Sequence, residues 1–169
     1  VRGIGIPAPQ GWDTAEVKSA VRKAALGGAS FVSFAEGANN RAHLPPEAMA
    51  QVSAQAGIES VVYYSCRGRR LVRMQTDLLG HFATGLTNLV FVTGSPLTPG
   101  AEQDAWPKLE VDSIGAVNLA DRLNHGEDIG GNPIGKPTGF HVGVRLDATA
   151  YDQKRETARM EWKVEAGAE

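Results

Sequence analysis

Four arginines, Arg67, Arg69, Arg70 and Arg73, gather where a helical stretch begins, just after Cys66. Guanidinium groups beside the free N–H groups and positive dipole end of a helix would attract an anion; a solvated helix start is the plainer reading. Further on, Gly130-Gly131-Asn132-Pro133-Ile134-Gly135-Lys136-Pro137 imitates a phosphate-binding loop. Pro137 stands where the magnesium-binding hydroxyl belongs, and no strand leads in, so nucleotide binding of that kind is not expected. His43, His81, His125 and His141 lack metal-ligand spacing, and no metal is expected. Cys66 reads as a packed small residue rather than a nucleophile, since no histidine is placed beside it by sequence. Asp112-Ser113 reads first as a helix cap, and Lys163 as a surface lysine on a helix that turns Ala158, Trp162 and Ala166 inward.

The elements that must position these groups centre on residues 61–96. Val61 to Tyr64 and Leu89 to Val92 are short apolar runs, as in strands covered on both faces. Between them Leu71, Met74, Leu78 and Phe82 recur at helical spacing, Leu79 widens the stripe, and Gly85 can end the helix. This is a βαβ unit with parallel strands. Ser65-Cys66-Arg67-Gly68-Arg69-Arg70 and Thr93-Gly94-Ser95-Pro96 follow its two strands, where parallel α/β folds gather their chemistry.

The same alternation runs through the chain. Gly3 to Ile6, Ser30 to Phe34 and Phe140 to Val144 supply the other strands. Asp13 with Glu16 forms a capping-box pattern before a helix stopped by Gly27; a second helix follows Pro45-Pro46 and ends at Gly57. Residues 96–107 are too rich in proline for regular structure, Ser113 caps a helix through Leu123, and Tyr151 to Ala166 form the last one. Ala35 to Arg41 and Gly126 to Pro137 are loops. Five β/α units in series predict a parallel sheet with outer helices, either doubly wound or a (β/α)8 barrel. Gly3-Ile4-Gly5 fails as a dinucleotide fingerprint, so the partial barrel is favoured, a single incomplete domain over residues 1–169. Both ends are expected to be cut, and open strand edges would favour a homo-oligomer.

Composition narrows the class. With 17 basic and 19 acidic residues among 169, the net charge of -2 carries no nucleic-acid footprint, and no apolar run is long enough for a membrane helix. One cysteine excludes an internal disulfide and fits a cytoplasmic protein.

Cys66-Arg67-x-Arg69, Gln75 to Gly80, Gly85-Leu86-x-Asn88, Thr93-Gly94-x-Pro96, Val111 to Gly115, Arg122 to Asp128, Gly130 to Thr138 and Lys163 to Ala168 come in the order found in 5,10-methylenetetrahydrofolate reductases. The chain resembles the branch fused behind a homocysteine S-methyltransferase domain. The resemblance implies a (β/α)8 barrel binding FAD, reduced by NAD(P)H, which passes hydride to the folate substrate and yields 5-methyltetrahydrofolate for methionine synthesis. It puts flavin contacts at Ala35, Glu36, Tyr63 (usually histidine), Thr93, Gly94, Ser95, Asp112, Ser113, Asp147, Glu156 and Lys163. It also exposes departures: Gly5 stands where the family carries a general-acid glutamate, Ser95 where it carries an aspartate, and Gly68 where Cys-Arg-Asp-Arg has its aspartate. The expected function is therefore an oxidoreductase with impaired folate chemistry, or a non-catalytic flavin- or folate-binding or regulatory barrel. A basic-patch anion binder is a third reading, resting on the four arginines alone.

Overall fold

The computed structural model describes residues 1–37, 41–94 and 109–169. Five strands alternate with five helices: β1 (Gly3–Ile6), α1 (Ala15–Leu26), β2 (Phe31–Phe34), α2 (Pro46–Gln55), β3 (Glu59–Ser65), α3 (Leu71–Ala83), β4 (Asn88–Val92), α4 (Ser113–Asn124), β5 (His141–Val144) and α5 (Gln153–Glu165). The five β/α units expected of a partial barrel are present, and the paired strands run parallel. The proline-rich segment expected to be irregular, with Ser95, Pro96, Pro99, Gly100 and Pro107, lies outside the described residues, as do Ala38, Asn39 and Asn40.

The chain divides into two compact units. In the first, residues 1–64, β2 pairs with β1 (Gly5 opposite Ser33) and with β3 (Ser33 opposite Val61). Because side chains alternate along a strand, Ile6, Val32, Phe34, Val62 and Tyr64 fall on one face and are buried. There α1 packs on β1 and α2 on β2, bringing Val17, Val21, Met49 and Val52 into the core. The opposite face carries Gly3, Gly5, Phe31, Ser33, Val61 and Tyr63 and is only partly covered.

In the second unit, residues 65–94 and 109–169 among those described, β4 and β5 pair with Leu89 opposite Val142, both buried. Above them α4 contributes Ala116, Val117, Leu119, Ala120 and Leu123 to the core. Asn124 fixes the entry to β5: its Nδ2 donates to Phe140 O at 2.9 Å, while Oδ1 accepts from Phe140 N and Thr138 Oγ1, both at 2.8 Å. The Phe82 and Phe140 rings meet edge to face at 5.3 Å.

Several local expectations are corrected. Gly27 caps the end of α1 as expected, and the left-handed residue of that turn is the next one, Gly28 (φ 75°). Asp13 Oδ1 accepts from Ala15 N at 2.9 Å rather than from the N–H three residues on, as a capping box requires, and α1 begins after Thr14. The cap of α4 is Asp112, which accepts from Ile114 N and Gly115 N, so Ser113 is the first helical residue. On α3 the buried stripe is narrow: Met74 and Leu78 are inside, whereas Leu79 is 39% exposed.

That difference makes adjacent leucines unequal. Leu78→Ala should cost about 2–5 kcal/mol of unfolding free energy through lost burial and a residual cavity. Leu79→Ala should cost less than about 1 kcal/mol. Urea unfolding of both variants checks the contrast, which equal losses would contradict.

Candidate functional site

In the second unit the candidate residues gather beyond the carboxyl ends of β4 and β5. Gly94, two residues past β4, has φ 91°, a conformation suited to glycine. A Cβ there would overlap Ser65 Oγ and lie 2.7 Å from Arg67 Cβ. The turn therefore needs glycine both for its dihedral and for the space. Arg67 completes the clamp by donating from Nε to Gly94 O at 3.2 Å, and Cys66 N donates to Val92 O at 2.9 Å. Thr93 Oγ1 lies 3.4 Å from Ser113 Oγ, so a hydroxyl after β4 faces one at the start of α4.

Lys163 is buried, with 4% of its surface exposed, and its Nζ donates to Arg145 O at 2.6 Å just after β5. The surface-lysine expectation is wrong because the helix turns this residue inward, while Trp162 is 54% exposed. Desolvation lowers the Lys163 pKa from its ordinary 10.5; Glu156 opposes that shift, Arg159 adds to it, and Asp112 opposes it more weakly. Glu156 Oε1 also accepts from Asp147 N at 3.1 Å. Asp147 Oδ1 accepts from Thr149 N and Oγ1, and these hydrogen bonds, the hydroxyl foremost, hold its pKa below the usual carboxylate value. Thr93, Gly94, Asp112, Ser113, Asp147, Glu156 and Lys163 are thus gathered in one unit by contacts of α4 and α5 with the strand ends.

The first unit holds Gly5, Ala35, Glu36 and Tyr63. Ala35 and Glu36 are exposed after β2, and Tyr63 is half-buried on the partly covered face of β3. A Cβ on Gly5 would meet only Ser33 Oγ, at 3.6 Å, so a side chain fits there. The loop after β1 pairs with the segment before α2: Gln10 bridges His43, Gly11 N donates to Ala42 O at 3.1 Å, and Leu44 N donates to Pro9 O at 3.0 Å. His43 Nδ1 lies 2.8 Å from Arg41 O, and the ring lies so close to Gly37 that a Cβ there would overlap it. The sequence signalled none of this, because His43 has no ligand spacing and its partners are backbone atoms. Ser95 lies outside the described residues.

The arginine cluster and the glycine-rich loop are both occupied by the protein's own carboxylates. At the start of α3, Leu71 N donates to Glu110 Oε2 at 2.9 Å, and Arg70 pairs with Glu110 at 3.5 Å. Arg69 and Arg73 both reach Asp77, at 3.0 and 2.8 Å, while Arg67 is on Gly94 O. The basic cluster is thus answered by the protein's own groups. In the glycine-rich loop, Asp128 Oδ1 accepts from Gly130 N at 2.9 Å and Asn132 N at 2.8 Å. The carboxylate of Asp128 takes main-chain donors that a phosphate would use, and its hydrogen bonds with Asn132 foremost lower its pKa.

Among the described residues no group of three His, Cys, Asp or Glu side chains could hold a metal ion. No described helix is long and apolar enough to cross a membrane. Comparison with protein families matches residues 8–169 to the family described as Methylenetetrahydrofolate reductase. No curated protein matches the chain.

Burial of Lys163 has a consequence in alkaline solution. Its folded-state pKa is below 10.5, so between the two values the unfolded chain binds more protons and this residue's contribution to stability rises with pH. Lys163→Met should abolish that rise. Urea midpoints of both proteins, measured at increasing pH up to 10.5, check this, and parallel curves would contradict it.

Proposed function

The chain belongs to the methylenetetrahydrofolate reductase family, whose barrel fold its five β/α units share, and we propose that it reduces 5,10-methylenetetrahydrofolate to 5-methyltetrahydrofolate with FAD and NAD(P)H. The match over residues 8–169 carries this reading. The donor set of the second unit fits a flavin cofactor. Gly94 makes the tight turn that follows Thr93, and Thr93 and Ser113 offer hydroxyls for a polyol chain. Arg145 O takes one of the three N–H bonds of Lys163, and the ammonium charge suits a diphosphate. Asp112 Oδ1 is committed to the α4 cap, which leaves Oδ2 to accept from a ribose hydroxyl.

When bound, the flavin supplies the means of accepting hydride from the nicotinamide and passing it on. The protein's part is to hold it, exclude water and move the proton that opens the folate's five-membered ring. A fused homocysteine S-methyltransferase partner and a cytoplasmic setting in methionine synthesis belong to the same proposal. The second reading, a flavin- or folate-binding barrel without hydride transfer, is favoured by Gly5, which puts no acid at the end of β1.

Separate anaerobic half-reactions test both readings. The chain should quench added FAD and stay yellow through gel filtration, and NAD(P)H should bleach the bound flavin. Methylenetetrahydrofolate should then reoxidise it, faster in a Gly5→Glu, Ser95→Asp double variant by up to about 10², the lower range of a positioned general acid. Flavin that is bound and bleached but never reoxidised supports the non-catalytic reading. A chain that takes up no flavin overturns both flavin-dependent forms.

A further inference from the structure

A parallel strand pair is joined by evenly spaced main-chain bonds, each carbonyl on one side facing an N–H on the other. Within the second unit, Cys66 N makes such a bond to Val92 O at 2.9 Å. The same spacing, carried two residues further, would set Gly68 N against Gly94 O. The chain turns before it can: Gly68 takes φ 78°, and Arg69 N donates back to Cys66 O at 3.2 Å. Gly94 O is reached by a side chain instead, Arg67 Nε donating to it at 3.2 Å. The carbonyls on either side of Thr93 are thus held by consecutive residues, one through its main chain and the next through its guanidinium.

The turn that delivers Arg67 is itself fastened. Arg69 Nε donates to Ser65 O at 3.0 Å, and its Nη1 donates to Asp77 Oδ2 at 3.0 Å. Asp77 also receives Arg73 at 2.8 Å, with 11% of its side chain exposed. The base of the Arg67 side chain packs against Gly94, where an added Cβ would lie 2.7 Å from Arg67 Cβ. Between the two held carbonyls, Thr93 places its Oγ1 3.4 Å from Ser113 Oγ at the start of α4.

We propose that Arg67 is a positioning residue for the cofactor site: its Nε supplies the rung that the turning chain cannot, and so fixes the Thr93 hydroxyl opposite that of Ser113. This inference rests on the flavin reading above. Arg67 acts through a neutral carbonyl, so the requirement is an N–H at the Nε position and not a positive charge. Two substitutions separate these. Glutamine carries Nε2 as many bonds from Cα as arginine carries Nε, which keeps an uncharged N–H there. Methionine puts a methyl group at the same place and donates nothing.

The test is FAD titration of the full chain, read by quenching of flavin fluorescence, with urea midpoints to establish that each variant folds. Arg67→Met should weaken FAD binding about tenfold, the upper range for one net hydrogen bond, whereas Arg67→Gln should stay within about threefold of the parent. Should Arg67→Met not fold, Arg67→Ala serves as the donorless variant. Thr93→Val should weaken binding by itself. Adding Arg67→Met to it should then cost less than about twofold more, because the hydroxyl that Arg67 places is already gone. An arginine that merely stabilises the fold would give losses that multiply, and one that binds the ligand by charge would make glutamine as poor as methionine. Either result overturns the proposal, as does parent-strength binding by the donorless variants or by Thr93→Val, and all of these leave the reductase reading standing. A parent chain that takes up no FAD ends that reading, and the positioning role with it.

Discussion

A main-chain N–H that leaves a helix or strand without a partner has to be answered, and in this protein the answer is repeatedly one of its own carboxylates. Glu110 takes Leu71 N at the start of α3, Asp112 takes Ile114 N and Gly115 N at the start of α4, and Asp152 takes Arg155 N at the start of α5. Asp128 does the same in the loop before β5, and Glu156 takes Asp147 N after it. A helix start whose donors are satisfied internally is stabilised by the cap and the dipole together, and it is also closed to an external anion. The second unit's helices and loops are therefore held by the same bonds that decide where a ligand cannot go.

What stays open to a ligand is defined by that exclusion. The Thr93 and Ser113 hydroxyls and the remaining protons of Lys163 are neutral and cationic donors beyond β4 and β5. The clamp of Arg67 on Gly94 O uses a cation to fix backbone geometry rather than to bind charge. A sequence reading that counts arginines as anion sites mistakes this role.

Much of the fold was legible because it depends on local pattern. Short β-branched and aromatic runs marked β3 and β4, and the spacing of Met74 and Leu78 marked α3. The positions of Gly57 and Gly85 were legible too, since few other residues tolerate their positive φ. Partnerships across long separations were not. Nothing in Arg70 or Leu71 points to Glu110, 39 residues beyond Leu71. The inward face of α5 was misread because Ala158, Trp162 and Ala166 repeat at helical spacing, while the long stem of Lys163 can be buried with its nitrogen on a carbonyl. His43 was passed over for the complementary reason, that its orientation comes from Arg41 O and Gly37, which no spacing rule records.

Lys163 shows how geometry and electrostatics are coupled in the second unit. Burial favours its neutral form, and the charges of Glu156 and Asp112 counter that preference. The same two carboxylates hold Asp147 N and the start of α4. An amide in either place could still accept the main-chain N–H, so the backbone would keep its path while the lysine lost part of the field that keeps it protonated. A site built this way can conserve its shape and still lose its charge. The fold alone therefore underdetermines the chemistry, and the ionisable groups that hold the strand ends together also set the electrostatics any bound cofactor would meet.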